Sequence, residues 1–473
     1  MKKILALALA VVMVFGMMAV SAAAEDKTVI NLWSFTDELQ GMMNKYLELN
    51  PELAEKFEIN SVVINNDGSA YVNALDSALM NGEPDIYGAE ADYVFKYSQG
   101  VASEFAATYE ELGIDVEAGI AAAEIAPYTI DIGTRPADGK VVALAYQSTG
   151  GAFIYRRSIA KDVFGTDDPA VIGEKIGAGS GNWDAFFAAA EELKAKGYKM
   201  VSGTGDVWNV IKTAAPTGWV VDDALNIDPM REEYLDLAKK LKDNDYMNDT
   251  TAWQEAWFAD MKAESKVFGF YGPAWLINYT LGPNSGEGES SSKGDWAVCA
   301  PNVGFYWGGT YLLAGKGAAA DPVKAEFVKG FIEWVTLDTT EDGLQYMWAN
   351  GLMNENGTKD TVASNVVLAK SNGEVEFLDG QNMFEYFIPA NEYAKATNMT
   401  QYDSIINDAW GAAVGQYAAG EVDRDTAIMN FKMDLSGFSE YCYSLWLSED
   451  TNPEKAMDSL REHTFDPYVL VIE

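Results

Sequence analysis

Val29-Ile30-Asn31-Leu32-Trp33 is an apolar, β-favouring run broken once by Asn31, and it reads as a strand. Leu39, Met42, Met43, Tyr46 and Leu47 then recur at the spacing of an amphipathic helix that stops before Pro51. Residues 59–64 read as a second strand, and Asn65-Asn66-Asp67-Gly68 as the turn after it. Tyr71, Val72, Leu75 and Leu79 mark a second helix, closed by Asn81 and Gly82 with Pro84 just beyond. Ile86 and Tyr87 begin a third strand. This alternation predicts an α/β unit with a parallel sheet and right-handed crossovers, in which ligands sit beyond the carboxyl ends of strands. Those ends are 33–36, 65–67 and 87–92.

Further along, residues 141–145 and 152–155 read as strands, and an amphipathic helix runs from Trp183 through Leu193 to end near Gly197. Residues 200–202 form a short strand leading into Gly203-Thr204-Gly205-Asp206, and 267–271 another leading into Gly272-Pro273-Ala274-Trp275. The Gly-, Ser- and Glu-rich stretch 285–294 reads as a mobile surface loop.

The chain's 473 residues, 48% hydrophobic and 22% charged, suit a folded protein large enough for two lobes. A formal charge of -39 excludes nucleic acid as a partner, because such a field repels phosphate backbones. One histidine, His463, and two cysteines, Cys299 and Cys442, leave almost nothing for histidine triads or thiolate metal sites, and no metal or cofactor is expected. Lys2 and Lys3, an apolar run to Val20 and then Ser21-Ala22-Ala23-Ala24 have the form of a signal peptide over 1–24, so an exported protein is expected. Cys299 and Cys442 fit either one disulfide or two buried thiols.

A series of short motifs carries a resemblance that spans nearly the whole chain. They are Asn31-Leu32-Trp33-Ser34, Asn81-Gly82-Glu83-Pro84-Asp85-Ile86-Tyr87 with Glu90-Ala91-Asp92-Tyr93, and Gly151-Ala152-Phe153-Ile154-Tyr155-Arg156-Arg157. Gly181-Asn182-Trp183-Asp184, Phe268-Gly269-Phe270-Tyr271-Gly272-Pro273-Ala274-Trp275, Phe305-Tyr306-Trp307-Gly308-Gly309-Thr310, Gly380-Gln381-Asn382-Met383-Phe384 and Gln401-Tyr402-Asp403-Ser404-Ile405-Ile406 follow in order. In these the chain resembles the extracellular solute-binding proteins of bacterial ABC importers, in the carbohydrate-binding family 1 branch. The resemblance implies a two-lobe, periplasmic-binding-protein-like α/β fold with hinge strands and an interlobe ligand cleft. It places lobe 1 at 25–147 and 301–345, and lobe 2 at 148–300 and 346–473. It also implies a monomer that captures a carbohydrate and hands it to the membrane subunits of an ABC permease, with no catalysis. The family's Gram-positive lipobox cysteine has no counterpart at the end of the leader, which points to a periplasm, release, or retention by another partner.

Sugar rings present apolar faces and hydroxyl rims, so they suit Trp or Tyr platforms flanked by Asp, Asn, Gln and Glu. Trp183, Trp253, Trp257, Trp334 and Trp348 lie on helical patterns and are assigned to the core. Trp33, Trp208, Trp219, Trp275 and Trp307 sit in or beside loops after strands, and Trp275 and Trp307 match positions that line the cleft in the family. Glu90 and Asp92 resemble the family's first acidic group, Asp92 having a helix N-cap as its competing role. Asp206 resembles a second-lobe acid, again with capping as the alternative. Gln147 and Thr149 lie where the chain crosses lobes. Gln381 and Asn382 offer hydroxyl partners or turn chemistry, and Asp222 and Asp223 read as a solvated turn. Two other functions remain open: the same fold holding a cation such as a polyamine, and a secreted glycoside hydrolase.

Overall fold

The computed structural model describes residues 27–438 except 67–68, 223 and 354–355. The leader 1–24, Asp67, Gly68, Asp223, Cys442, His463 and the tail beyond 438 lie outside the described residues, and with them the question of a disulfide. Cys299 itself is buried.

Eight strands make two sheets: β1 (Thr28–Ser34), β2 (Phe57–Val63), β3 (Ile86–Glu90), β4 (Ala143–Ala145), β5 (Ala152–Arg156), β6 (Gly269–Gly272), β7 (Trp296–Cys299) and β8 (Thr310–Ala314). The first sheet has the order β2-β1-β3-β8-β4 and the second β6-β5-β7. β1 runs parallel to β2 and β3, with Leu32 beside Ile86 and Trp33 beside Tyr87. The sheet is not wholly parallel, however. β8 enters antiparallel to both β3 and β4, placing Thr310 beside Glu90 and Tyr311 beside Ala145. It arrives after the second sheet is complete, so a local pattern of strand and helix carries no sign of its direction. The chain passes between sheets at 145–152 and returns at 299–310. These two crossings are bonded to each other, Gly151 N–H to the Phe305 carbonyl at 2.9 Å and Trp307 N–H to that of Thr149 at 3.1 Å. They form the hinge.

The returning segment is locked onto the first sheet by its helix Pro322–Thr336, which starts with a proline at its first position and an Asp321 carboxylate accepting from Val323 N–H at 2.9 Å. Phe327 and Phe331 of this helix pack on Tyr46 of helix Glu38–Leu49, ring centres 5.9 and 5.4 Å apart. Buried Asp85 accepts from Asn31 N–H at 2.8 Å and pairs with Lys324 at 2.9 Å, a charge that removal of either partner would leave stranded.

Two expectations change. Residues 200–202 form no strand: Val201 makes an isolated bridge to Met247 and Lys199 one to Val267, and the N–H groups of Ser202 and Gly203 turn to the Asp206 carboxylate. The loop 285–294 is anchored: the buried Ser292 hydroxyl donates to the Met261 carbonyl at 2.6 Å and accepts from Trp296 Nε1 at 2.9 Å.

Candidate functional site

Glu90 ends β3, and two residues later the Asp92 N–H donates back to Glu90 Oε2 at 2.9 Å. The other oxygen of Glu90 faces the crossing at Gly308, where φ is +78° and an added Cβ would stand 3.2 Å from both Glu90 Oε1 and Trp275 Nε1. Burial holds the Glu90 carboxyl well above its ordinary value, the Asp92 charge adds to this, and the Lys212 ammonium opposes it. Lys212, on helix Thr204–Ala214 of the second sheet's layer, reaches Asp92 Oδ1 at 3.0 Å and so joins the two halves of the molecule.

Above these acids lies a group of three indoles. Trp275 follows β6, and its Nε1 donates to the Trp307 carbonyl at 2.9 Å, with the two rings 4.9 Å apart at 67°. Trp253 lies parallel to Trp275, tilted 12° with centres 6.3 Å apart, and 6.0 Å from Trp307. It is 50% exposed and has φ +67°, a left-handed backbone that is strained for a bulky residue. Trp253 therefore leaves the core to which its spacing from Trp257 assigned it. The helix begins only at Glu255, and the turn before it, with Asp249 also at positive φ, swings Trp253 outward. The turn residues Asn248-Asp249-Thr250-Thr251 were the readable signal.

A second acidic corner lies along the hinge. Glu38, just past β1, accepts from the Tyr146 hydroxyl at 2.5 Å and from Tyr279, which is 43% exposed on a π-helical turn, Ile277–Leu281. Asp360 accepts from Thr361 N–H at 2.7 Å and from Gln147 Nε2 at 3.1 Å. Burial raises Glu38 and pushes Asp360 up to about 7, with the Glu38 charge adding to the latter. Sequence reasoning named none of Glu38, Lys212, Tyr279 or Asp360 and placed Trp253 in the core, since no motif marks a side chain whose neighbours come from the other sheet.

Of the residues the sequence singled out, Glu90, Asp92, Trp275 and Trp307 come together, and Trp33 lies half-buried on β1, two strands from β8. Thr149 and Gln147 serve the hinge. Thr149 donates to the Gly308 carbonyl at 2.8 Å, and Gln147 is buried between Asp360 and the Thr310 N–H. Asp206 is a helix cap: its carboxylate takes the N–H groups of Ser202 and Gly203 at 3.0 and 2.9 Å and the indole of Trp257 at 3.2 Å. Burial pushes it up to about 6. Trp208 packs on Tyr234, ring centres 4.9 Å apart and tilted by 34°, and Trp219 is fully buried rather than beside an open loop. The Gln381 amide bonds both backbone groups of Val298, at 2.9 and 2.8 Å, and Asn382 accepts from Phe384 N–H at 3.1 Å. Both sit away from the indole group.

Among the described residues no cluster of three or more His, Cys, Asp and Glu side chains is placed to hold a metal ion, and no helix is long and apolar enough to cross a membrane. No curated protein matches the chain. Solved structures match it in fold. An extracellular solute-binding protein of family 1 superposes with a TM-score of 0.67 at 16% identity, covering 85% of this chain and 98% of that one. The galacto-N-biose/lacto-N-biose I-binding protein of an ABC transporter from Bifidobacterium longum, in complex with lacto-N-biose, gives 0.63 at 15%, covering 86% and 96%. An ABC transporter associated binding protein from B. animalis subsp. lactis, in complex with beta-1,6-galactobiose, gives 0.59 at 20%, covering 87% and 97%. These likenesses give the two-lobe α/β fold with an interlobe cleft. The family model of the bacterial extracellular solute-binding proteins matches residues 48–366, and the chain belongs to that family.

Proposed function

We propose that this protein is the extracytoplasmic receptor of an ABC importer, capturing a neutral oligosaccharide between its two lobes and delivering it to the membrane permease without covalent chemistry. The lobes are 25–147 with 301–345, and 148–300 with 346–473, and the protein acts as a monomer exported by its leader. The observation that carries the reading is the indole group Trp253, Trp275 and Trp307 set over Glu90. An indole face held beside a carboxyl is what a sugar's apolar face and hydroxyl rim call for. Trp33, Glu38, Glu90, Asp92 and Tyr279 supply further contacts from the two sides, and closure around the ligand shifts an open–closed equilibrium. The disaccharides bound by the two bifidobacterial structures support the same class of ligand.

A cationic ligand is disfavoured, because Asp206 is fully engaged as a cap and Asp92 already has an ammonium partner. A tryptophan-fluorescence and thermal-shift series against neutral mono- and oligosaccharides tests the reading. Concentration-dependent stabilisation by at least one oligosaccharide is expected. Silence across the panel, or steady release of reducing ends, would refute it.

A further inference from the structure

The lysine in the cleft is buried against a far more exposed partner. Lys212 extends from its helix with only 9% of its side chain exposed, while its partner Asp92 is 47% exposed. Its ammonium lies 3.0 and 3.4 Å from the two Asp92 oxygens and 5.8 Å from the centre of the Trp307 ring. A carboxylate on one side and an indole on the other is the environment that binds an organic cation. Here the chain fills it with its own ammonium, at the cost of fixing a long, rotamer-rich side chain. Asp408, whose carboxyl senses both Asp92 and Lys212, and Glu90 complete the charged surroundings.

We infer that Lys212 is a specificity-determining residue, an internal counter-cation that occupies the acid–indole corner and so restricts the cleft to uncharged ligands. The inference rests on reading this cleft as the ligand site. It makes two opposite charge swaps informative. Lys212→Met keeps the apolar stem and removes the ammonium, leaving Asp92 to attract a cation. Asp92→Asn, at a half-exposed position, leaves Lys212 to attract an anion.

Calorimetry on the full chain would use spermidine and digalacturonate as probes, with thermal melts to establish folding. Wild type is expected to bind neither measurably. Lys212→Met is expected to gain spermidine affinity by at least about tenfold, with a steep loss as salt rises. Asp92→Asn is expected to gain digalacturonate affinity by a similar factor, and Lys212→Arg to behave as wild type. The inference falls if neither swap changes charge preference, or if wild type already binds spermidine. A gain in the swapped variants with no neutral glycan bound by wild type would sink the glycan reading and leave the role of Lys212 standing. A glycan bound by wild type with no gain in the variants would do the reverse.

Discussion

Trp219 and Trp253 both follow turn-rich stretches between β5 and β6, and the fold treats them in opposite ways. Trp219 is fully buried, its Nε1 donates to Asn407 at 2.7 Å, Trp410 meets it edge-on at 5.7 Å, and the Arg231 guanidinium lies 4.5 Å over its ring. Trp253 is half exposed on a strained backbone, parallel to Trp275. What separates them is cover. The helices Asp403–Ala418 and Arg424–Phe438 return from far along the chain to close over Trp219, whereas Trp253 stays half exposed beside Trp275 and Trp307. A bulky indole half open to solvent at a positive φ is the kind of backbone outlier on which the proposed binding role of Trp253 rests.

The sharpest way to break this contrast is Trp219→Ala, which should cost about 3–5 kcal/mol of stability in denaturant melts while the folded fraction keeps its ligand affinity. Trp253→Ala should do the reverse, weakening oligosaccharide binding by about 1–3 kcal/mol in calorimetry and moving stability by less than about 1 kcal/mol. Equal effects of the two substitutions on binding would erase the distinction.

A covered acid gives a pH-dependent counterpart. The Asp360 carboxyl sits at about 7 in the fold against an ordinary 3.8, so the folded state holds its proton more tightly than the open chain does. The stability it lends is complete below 3.8 and is lost as pH rises through 7. Asp206, at about 6, acts in the same direction. The melting temperature should therefore fall between pH 5 and pH 8, by roughly 1 °C for each kcal/mol in a chain of this length, and Asp360→Asn should flatten the slope. A wild-type melting temperature that climbs over this range would contradict the burial of Asp360. The smallest effect compares two variants at one position: Trp253→Gly should be more stable than Trp253→Ala by about 0.5–1 kcal/mol, because glycine accepts φ +67° without strain.

The first α/β unit was legible because its strands and helices are neighbours in sequence: β1, β2 and β3 and the helices Glu38–Leu49 and Ala70–Met80 follow from apolar spacing, while the short helix Pro51–Lys56, which buries no residue, left no such pattern. β8 and its antiparallel direction were not, since its partners are set by a crossing that returns from another sheet. The site divides in the same manner. Glu90 and Asp92 follow a visible strand, and Trp275 and Trp307 belong to motifs. Lys212 reads as an ordinary helical lysine until the first sheet's Asp92 is brought within 3.0 Å of it. Glu38 and Asp360 become a pair of interacting acids only through the hinge.

The Gln381 side chain has a consequence for how molecules meet. β7 is the last strand of its sheet, and the outward N–H and C=O of Val298 are the pairing groups that a strand from another molecule would seek. One primary amide satisfies both, acting as a single-residue stand-in for the missing neighbour. The second sheet is thereby closed to edge-to-edge association at the centre of β7.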